Sequence, residues 1–233
     1  MINFELSKRL FEIASQVKQN DKIADIGTDH AYVPIFLIDK GIVDTAIAAD
    51  VSRGSCEKAL DNIKRHKMQE KIKVVHSNGL QKLLNEDFNT VVIAGMGGPL
   101  MKRILSHCME KVITLDRLIL QPQSEIDVVR KYVHRIGFKI EKEIMLKEND
   151  QIYTIIVCEK GKENYTNIEY KYGKINLDTK SSVLKEHIQN QIKSYNQILK
   201  SIQNNSTESS IKRVEELNDF IVELKEVLDV YFT

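Results

Sequence analysis

The feature that most constrains this chain is a set of five short apolar runs, each followed by a polar or glycine-bearing break and most then by a segment of helical period. The runs are "KIADIG" (22–27), "TAIAAD" (45–50), "KIKVVHS" (71–77), "NTVVIAG" (89–95) and "DRLILQ" (116–121). Helical period is found over Ala31–Asp39, Gly54–His66, Pro99–Val112 and Glu125–Ile136. An opening helix over Leu6–Lys18 precedes them, with Leu6, Leu10, Ile13 and Val17 on one face. Strands that alternate with helices imply right-handed crossovers and a mostly parallel sheet. Two longer strand-like runs close this part, "FKIEKEIMLKE" (138–148) and "QIYTIIVCEK" (151–160). The Asn149-Asp150 pair between them is a two-residue hairpin turn.

Beyond Lys160 the character changes. "GKENYTNIEYKYGKINLD" (161–178) is polar and dotted with tyrosine, and is expected to be a linker with little regular structure. Two heptad runs follow. Leu184, Ile188, Ile192, Tyr195, Leu199 and Ile202 form the first; Val214, Leu217, Ile221, Leu224, Leu228 and Tyr231 form the second. "NNSTESS" (204–210) between them supplies a turn and N-caps, so the pair predicts an antiparallel helical hairpin. The expected domains are therefore 1–160 and 161–233. A chain of 233 residues has room for one sizeable core and such an appendage.

Bulk properties exclude more than they select. No apolar run approaches the length of a membrane span, and "MINFELSKRLFEIASQV" lacks the basic-then-apolar order of a signal peptide. Cys56, Cys108 and Cys158 are odd in number and share no metal-ligand spacing, as expected of reduced thiols in a cytoplasmic protein. The formal charge is +1, and residues 162–233 hold 10 of the 34 basic and 11 of the 33 acidic residues. Neither part announces nucleic acid by bulk charge, so such a site must be a local patch.

Ligands of open parallel sheets bind beyond the carboxyl ends of the strands. Those ends carry, in order, Asp25-Ile26-Gly27-Thr28-Asp29-His30, then Asp50-Val51, then Asn78-Gly79, then Ala94-Gly95-Met96-Gly97-Gly98, then Gln121-Pro122-Gln123. Gly27 lets a ligand approach the backbone. Asp50, about twenty residues on, is placed to accept hydrogen bonds from two ribose hydroxyls, which suits NAD and S-adenosylmethionine alike. The first turn discriminates between them. "GTDHAY" lacks the second and third glycines that a pyrophosphate requires, and Asp29 would repel a phosphate there. S-adenosylmethionine carries a sulfonium and an ammonium group instead, which favour nearby carboxylates. Plainer readings exist: Asp25 as a turn cap, the glycines as tight turns, His30 as a packing residue, Met96 as a wall.

In this order and spacing, "DIGTDHAYVP", "AADVSRG", "SNGL", "VVIAGMGG" and "LQPQSEIDVVRKY" resemble the bacterial tRNA (adenine-22-N1)-methyltransferase family. The closing strand pair and the heptad tail resemble that family's hairpin and C-terminal coiled coil. The resemblance implies an α/β, Rossmann-like, seven-stranded S-adenosylmethionine-dependent methyltransferase sheet with a C-terminal antiparallel helical hairpin, acting on tRNA. It implies that Asp25, Gly27, Thr28 and His30 hold the amino-acid part of the cofactor, Asp50 and Val51 its ribose side, and Asn78 and Gly79 its adenine. Ala94 and Gly95 would line the methyl path. Met96, Gly97, Gly98, Gln121, Pro122 and Gln123 would face the target base. Gly-Met-Gly-Gly stands where amino-directed enzymes carry an Asn/Asp-Pro-Pro-aromatic motif, which disfavours an N6-amino target.

The chemistry can be reasoned separately. Adenine N1 already holds a lone pair, so its methylation needs no general base, and the product ring is cationic. A carboxylate beside the base would stabilise that charge, and Asp29 is the candidate catalytic residue. Arg53, Lys64, His66, Lys67, Lys102 and Arg103 are candidate phosphate contacts. No metal and no membrane are expected, and a monomer is expected over a dimer. The alternatives are a methyltransferase acting on another RNA position, a protein or a small molecule, a non-catalytic cofactor-binding module with a partner-binding hairpin, and a nicotinamide oxidoreductase.

Overall fold

The computed structural model describes residues 5–202 and 208–233. Seven strands form one sheet in the order β3-β2-β1-β4-β5-β7-β6. β1 (Ile23–Ile26), β2 (Ala46–Asp50), β3 (Ile72–His76), β4 (Thr90–Met96) and β5 (Arg117–Pro122) run parallel. β6 (Phe138–Glu148) and β7 (Gln151–Lys160) are antiparallel, with β7 inserted between β5 and β6. β1, β2 and β5 are buried at every residue, as expected of parallel strands covered on both faces. The chain reverses its lateral direction between β1 and β4, which opens a crevice at their carboxyl ends. Asn149 and Asp150 both adopt positive φ, 50° and 60°, the geometry of the tight turn expected between β6 and β7.

Three helices match their expected spans to within a residue or two: α2 (Tyr32–Asp39), α3 (Arg53–Arg65) and α6 (Ile126–Arg135). Two expectations are corrected. α1 covers only Lys8–Ala14, because the Ser15 hydroxyl and the Gln16 side-chain amide fold back onto the Glu12 carbonyl while the Gln16 backbone amide turns to the Ile13 carbonyl and closes the last turn. The Pro99–Val112 helix is two helices, α4 (Gly98–His107) and α5 (Met109–Val112), because buried Cys108 takes φ −129°, outside the helical range.

Residues 161–178 are not the irregular linker expected. They hold α7 (Asn167–Tyr172) and α8 (Lys174–Asp178), separated by Gly173 at φ 89°. Thr166 and Glu169 form a reciprocal capping box at the start of α7: the Glu169 amide donates to the Thr166 hydroxyl at 3.3 Å, and the Thr166 amide to the Glu169 carboxylate at 2.6 Å. Arg130 on α6 closes the other end, donating to the carbonyls of Tyr170 and Lys171 at 2.7 and 3.1 Å. Its Nε pairs with the fully buried Glu143 of β6 at 2.5 Å. Residues 161–171 accordingly group with the sheet, and the chain divides into compact units at Lys171/Tyr172.

The second unit, Tyr172–Thr233, contains α8, α9 (Ser182–Ile202) and α10 (Glu208–Tyr231). Lys180 and Lys185 donate to the carbonyls of Thr233 and Phe232, so the start of α9 lies beside the end of α10 and the two helices are antiparallel. Leu184, Ile188, Leu217, Ile221, Leu224 and Val227 are buried. Val227 takes the buried place expected for Leu228, a drift of one residue that a straight 3.6-residue helix imposes on a heptad. Most of the expected "NNSTESS" turn lies outside the described residues. Among the described residues no helix is long and apolar enough to cross a membrane.

Candidate active site

The crevice is built by three turns that follow β1, β2 and β4. After β1 the chain must reverse at once into α2. It does so through Gly27, Asp29 and Ala31, all at positive φ (76°, 49° and 56°). The amides of Gly27 and Thr28 donate to the Ala49 carbonyl of β2, at 2.8 and 3.1 Å, which fastens the turn to the sheet. A Cβ on Gly27 would run into the Met96 methyl, so the turns after β1 and β4 approach each other closely at this glycine.

Two carboxylates face this turn. Asp25 is buried, and its only hydrogen-bond partner among the described residues is the Thr28 hydroxyl, at 2.7 Å. Burial pushes its pKa up to about 6; the Thr28 hydrogen bond opposes the shift and the charge of Asp50 adds to it. Asp50, at the end of β2, accepts from the amides of Asp29 (3.1 Å, at Oδ2) and Ser52 (2.8 Å, at Oδ1). Each oxygen keeps a lone pair for a further donor. Val51 next to it is 65 % exposed, an apolar side chain left open beside a fixed carboxylate.

Asp29 and His30 diverge from that pair. The Asp29 carboxylate is 56 % exposed and lies 3.4 Å from His30 Nε2 and 3.7 Å from Lys58 Nζ of α3. The His30 ring stacks on Tyr32, with centroids 4.9 Å apart, and Asn62 donates to its carbonyl. After β3, Asn78 is exposed, while Gly79 is buried where a Cβ would lie 2.9 Å from Ile104 of α4. Gly79 also sits at φ 59°, so both its backbone and the packing of α4 call for glycine.

The third turn begins with a β-bulge at Ala94–Met96 in the pairing of β4 with β5, and Gly95 sits there at φ 76°. Gly98 packs against the backbone of Ser124 and Glu125, leaving no space for a side chain. The Met96 carbonyl accepts from the Gln123 amide at 2.8 Å. Gln121 is completely buried. Its Oε1 accepts from the Gly95 amide at 3.2 Å and from Arg9 Nη1 at 2.8 Å, and its Nε2 donates to the Pro122 carbonyl.

The structure therefore gathers Asp25, Gly27, Thr28, Asp29 and Asp50 around one turn, and Gly95, Met96, Gln121 and Gln123 around the other. Pro122 is buried between Gln121 and the exposed Gln123. The two clusters meet where Met96 approaches Gly27. The expected phosphate contacts lie on two helices: Arg53, Lys64, His66 and Lys67 on or just beyond α3, Lys102 and Arg103 on α4, all exposed except the half-buried His66. Arg9 was not anticipated. Nothing local in "SKRLFE" reveals that the Arg9 side chain reaches Gln121 at the end of β5. Among the described residues no cluster of His, Cys, Asp and Glu is placed to hold a metal ion.

Comparison with known proteins bears on this arrangement. The family model described as tRNA (adenine(22)-N(1))-methyltransferase matches residues 23–226. The Bacillus subtilis tRNA (adenine(22)-N(1))-methyltransferase is 28 % identical over 236 residues, covering 98 % of this chain and 99 % of the relative. Streptococcus pneumoniae Sp1610, solved in complex with S-adenosyl-L-methionine, superposes with a TM-score of 0.86 at 33 % identity, over 96 % of this chain and 100 % of that one. The M. capricolum enzyme in complex with S-adenosyl-homocysteine gives 0.84 at 27 %, over 97 % and 99 %. With a family model that matches most of its length and relatives that cover nearly all of it, the chain belongs to the tRNA (adenine(22)-N(1))-methyltransferase family.

Proposed function

We propose that this protein methylates N1 of adenine 22 in tRNA, with S-adenosylmethionine as methyl donor. The observation that carries the reading is the buried carboxyl of Asp25, its pKa pushed up to about 6 and with no cation beside it among the described residues, next to the fixed carboxylate of Asp50. A ligand that brings a positive amino-acid end and a ribose to this crevice supplies what both acids lack, and a pyrophosphate does not. The exposed face of Val51 suits the flat apolar base of such a ligand. When bound, S-adenosylmethionine supplies an electrophilic methyl group.

The chain's own residues provide position and charge. Asp25 and the 27–30 turn would hold the amino-acid end, Asp50 the ribose, and Val51, Asn78 and Gly79 the adenine. The bulge at Gly95 and the Met96–Gly98 turn would bring the target base to the cofactor, with Gln121 fixing the bulge from below. N1 attacks with an existing lone pair, so no side chain has to remove a proton and no metal is needed to create the nucleophile. Positive charge develops on the ring. Asp29, largely exposed at the turn, would stabilise that charge and accept a hydrogen bond from the exocyclic amine. N1 lies on the Watson–Crick edge, so the base must leave its pairing before reaction. The same reading has the protein acting as a monomer in the cytoplasm. Three buried, unpaired cysteines suit a reducing compartment.

The test is incubation of unmodified tRNA transcripts with methyl-labelled cofactor, followed by digestion to nucleosides. Label in 1-methyladenosine, greatly reduced in Asp29→Ala, is the expected result. Label in N6-methyladenosine, or in no nucleoside despite cofactor binding, would refute it.

A further inference from the structure

We propose that Arg9 holds an RNA phosphate at the mouth of the crevice and thereby positions the target nucleotide over the Gly95–Gly98 turn. This rests on the reading above, that the substrate is RNA. Arg9 Nη1 donates to Gln121 Oε1 at 2.8 Å, the same oxygen that accepts from the Gly95 amide. Its guanidinium lies over the Tyr153 ring, 5.3 Å from the centroid. Its backbone amide donates to Glu148 Oε1 at 3.3 Å, and among the described residues that carboxylate forms no ion pair with the guanidinium. A Cβ on Gly95 would sit 3.9 Å from Nη1. Arg9 therefore lies beyond the carboxyl ends of β4 and β5, on the side where open parallel sheets bind their ligands.

The guanidinium has more capacity than this site uses. It offers five N–H donors, of which one is engaged by Gln121, and no carboxylate lies within ion-pair distance of it among the described residues. Buried Gln121 needs only a neutral donor. A half-buried cation fixed by a buried amide and an aromatic face, with no direct ion pair among the described residues, is suited to a planar, bidentate acceptor. In an RNA substrate that acceptor is a phosphate beside the target nucleotide. The lysines and arginines of α3 and α4 differ in kind: they are exposed, and among the described residues their side-chain partners are the exposed Asp29 and the half-buried Asn62.

The proposal is tested by tRNA affinity as a function of salt for the wild type, Arg9→Gln and Arg9→Lys, with methylation and cofactor binding measured alongside. Removing one phosphate contact should weaken tRNA binding about tenfold and reduce the slope of log affinity against log salt by about 0.7–0.9. Cofactor affinity should not change, and the loss of methylation in Arg9→Gln should lie mainly in KM for tRNA. Arg9→Lys keeps the charge, so it should restore the slope while recovering only part of the rate. An unchanged slope in Arg9→Gln, with methylation reduced, would overturn the proposal and reduce Arg9 to a support for Gln121 and Gly95. Absence of tRNA methylation by the wild-type protein would overturn the functional reading itself, and this inference with it.

Discussion

The backbone amide of Asp29 donates to Oδ2 of Asp50 at 3.1 Å, so the turn after β1 is tied to the carboxylate that ends β2. The proposed ribose acceptor and the backbone of the proposed catalytic residue are thereby one mechanical unit. Asp50→Ala should lose two charge-assisted hydrogen bonds to the cofactor and leave the amides of Asp29 and Ser52 without their partner. Cofactor affinity should fall at least about a hundredfold, and the ligand-free protein should lose about 1–3 kcal/mol. Calorimetric titration and thermal unfolding check the two parts. Loss of affinity with full stability would show that the amides do not depend on Asp50.

Asp25 carries a pH prediction of defined sign. Its pKa in the folded protein, about 6, is above the ordinary carboxylate value. Between that ordinary value and 6 the folded state binds a proton that the unfolded state has lost. Stability therefore falls as pH rises through this window, and the full cost, roughly 3 kcal/mol from a shift of about two pKa units, persists above it. Asp25→Asn should raise the melting temperature at pH 7.5 and leave it little changed at pH 4. The bound cofactor has the opposite preference, because its positive groups favour ionised Asp25. Wild-type affinity should decline as pH drops below about 6, and the variant should bind weakly at either pH. A variant less stable than wild type at pH 7.5 would contradict the assignment of a buried, unpaired acid.

The approach of Met96 to Gly27 leads to a double-mutant cycle. Gly27→Ala meets both the Met96 methyl and a φ of +76°, the latter costing about 1 kcal/mol. Cofactor affinity should fall roughly tenfold. Adding Met96→Ala should recover the steric part of the loss and leave the backbone part. Strictly additive effects in titrations of the four proteins would mean that the two turns do not act on each other.

The tail can be separated at the observed boundary. Tyr172 donates to Glu223 of α10 at 2.6 Å and belongs to the second unit. Removing residues 172–233 leaves the sheet, the α6–α7 clasp and the whole crevice in the first unit. Cofactor affinity should be kept and tRNA affinity should drop about tenfold or more, because bulk charge is near zero in both parts and a local set of basic residues on α9 and α10 would make the phosphate contacts. Equal tRNA affinity in the truncated protein would remove the tail from RNA binding.

What could be read without coordinates follows physical range. β1, β2 and β5 were legible because parallel strands buried on both faces must be apolar along their length, β4 from its apolar middle, and the edge strand β3 from its short β-branched run. The Asn149-Asp150 turn was legible because few residues tolerate positive φ twice in succession. The helices of 161–178 were missed for want of a periodic apolar face, although Thr166-Asn167-Ile168-Glu169 spells out a capping box. The state of Asp25 and the place of Arg9 depend on contacts between residues far apart in sequence. Arg9 meets Gln121 across 112 positions, and no local pattern encodes that meeting.

The central claim is methylation at one atom of one nucleotide. The most direct measurement is primer extension on tRNA transcripts incubated with the protein and S-adenosylmethionine, comparing an otherwise identical pair with adenine or guanine at position 22. A strong stop at position 22 in the adenine transcript only, dependent on cofactor, is the expected result. A stop at another position, or equal methylation of both transcripts, would contradict the account.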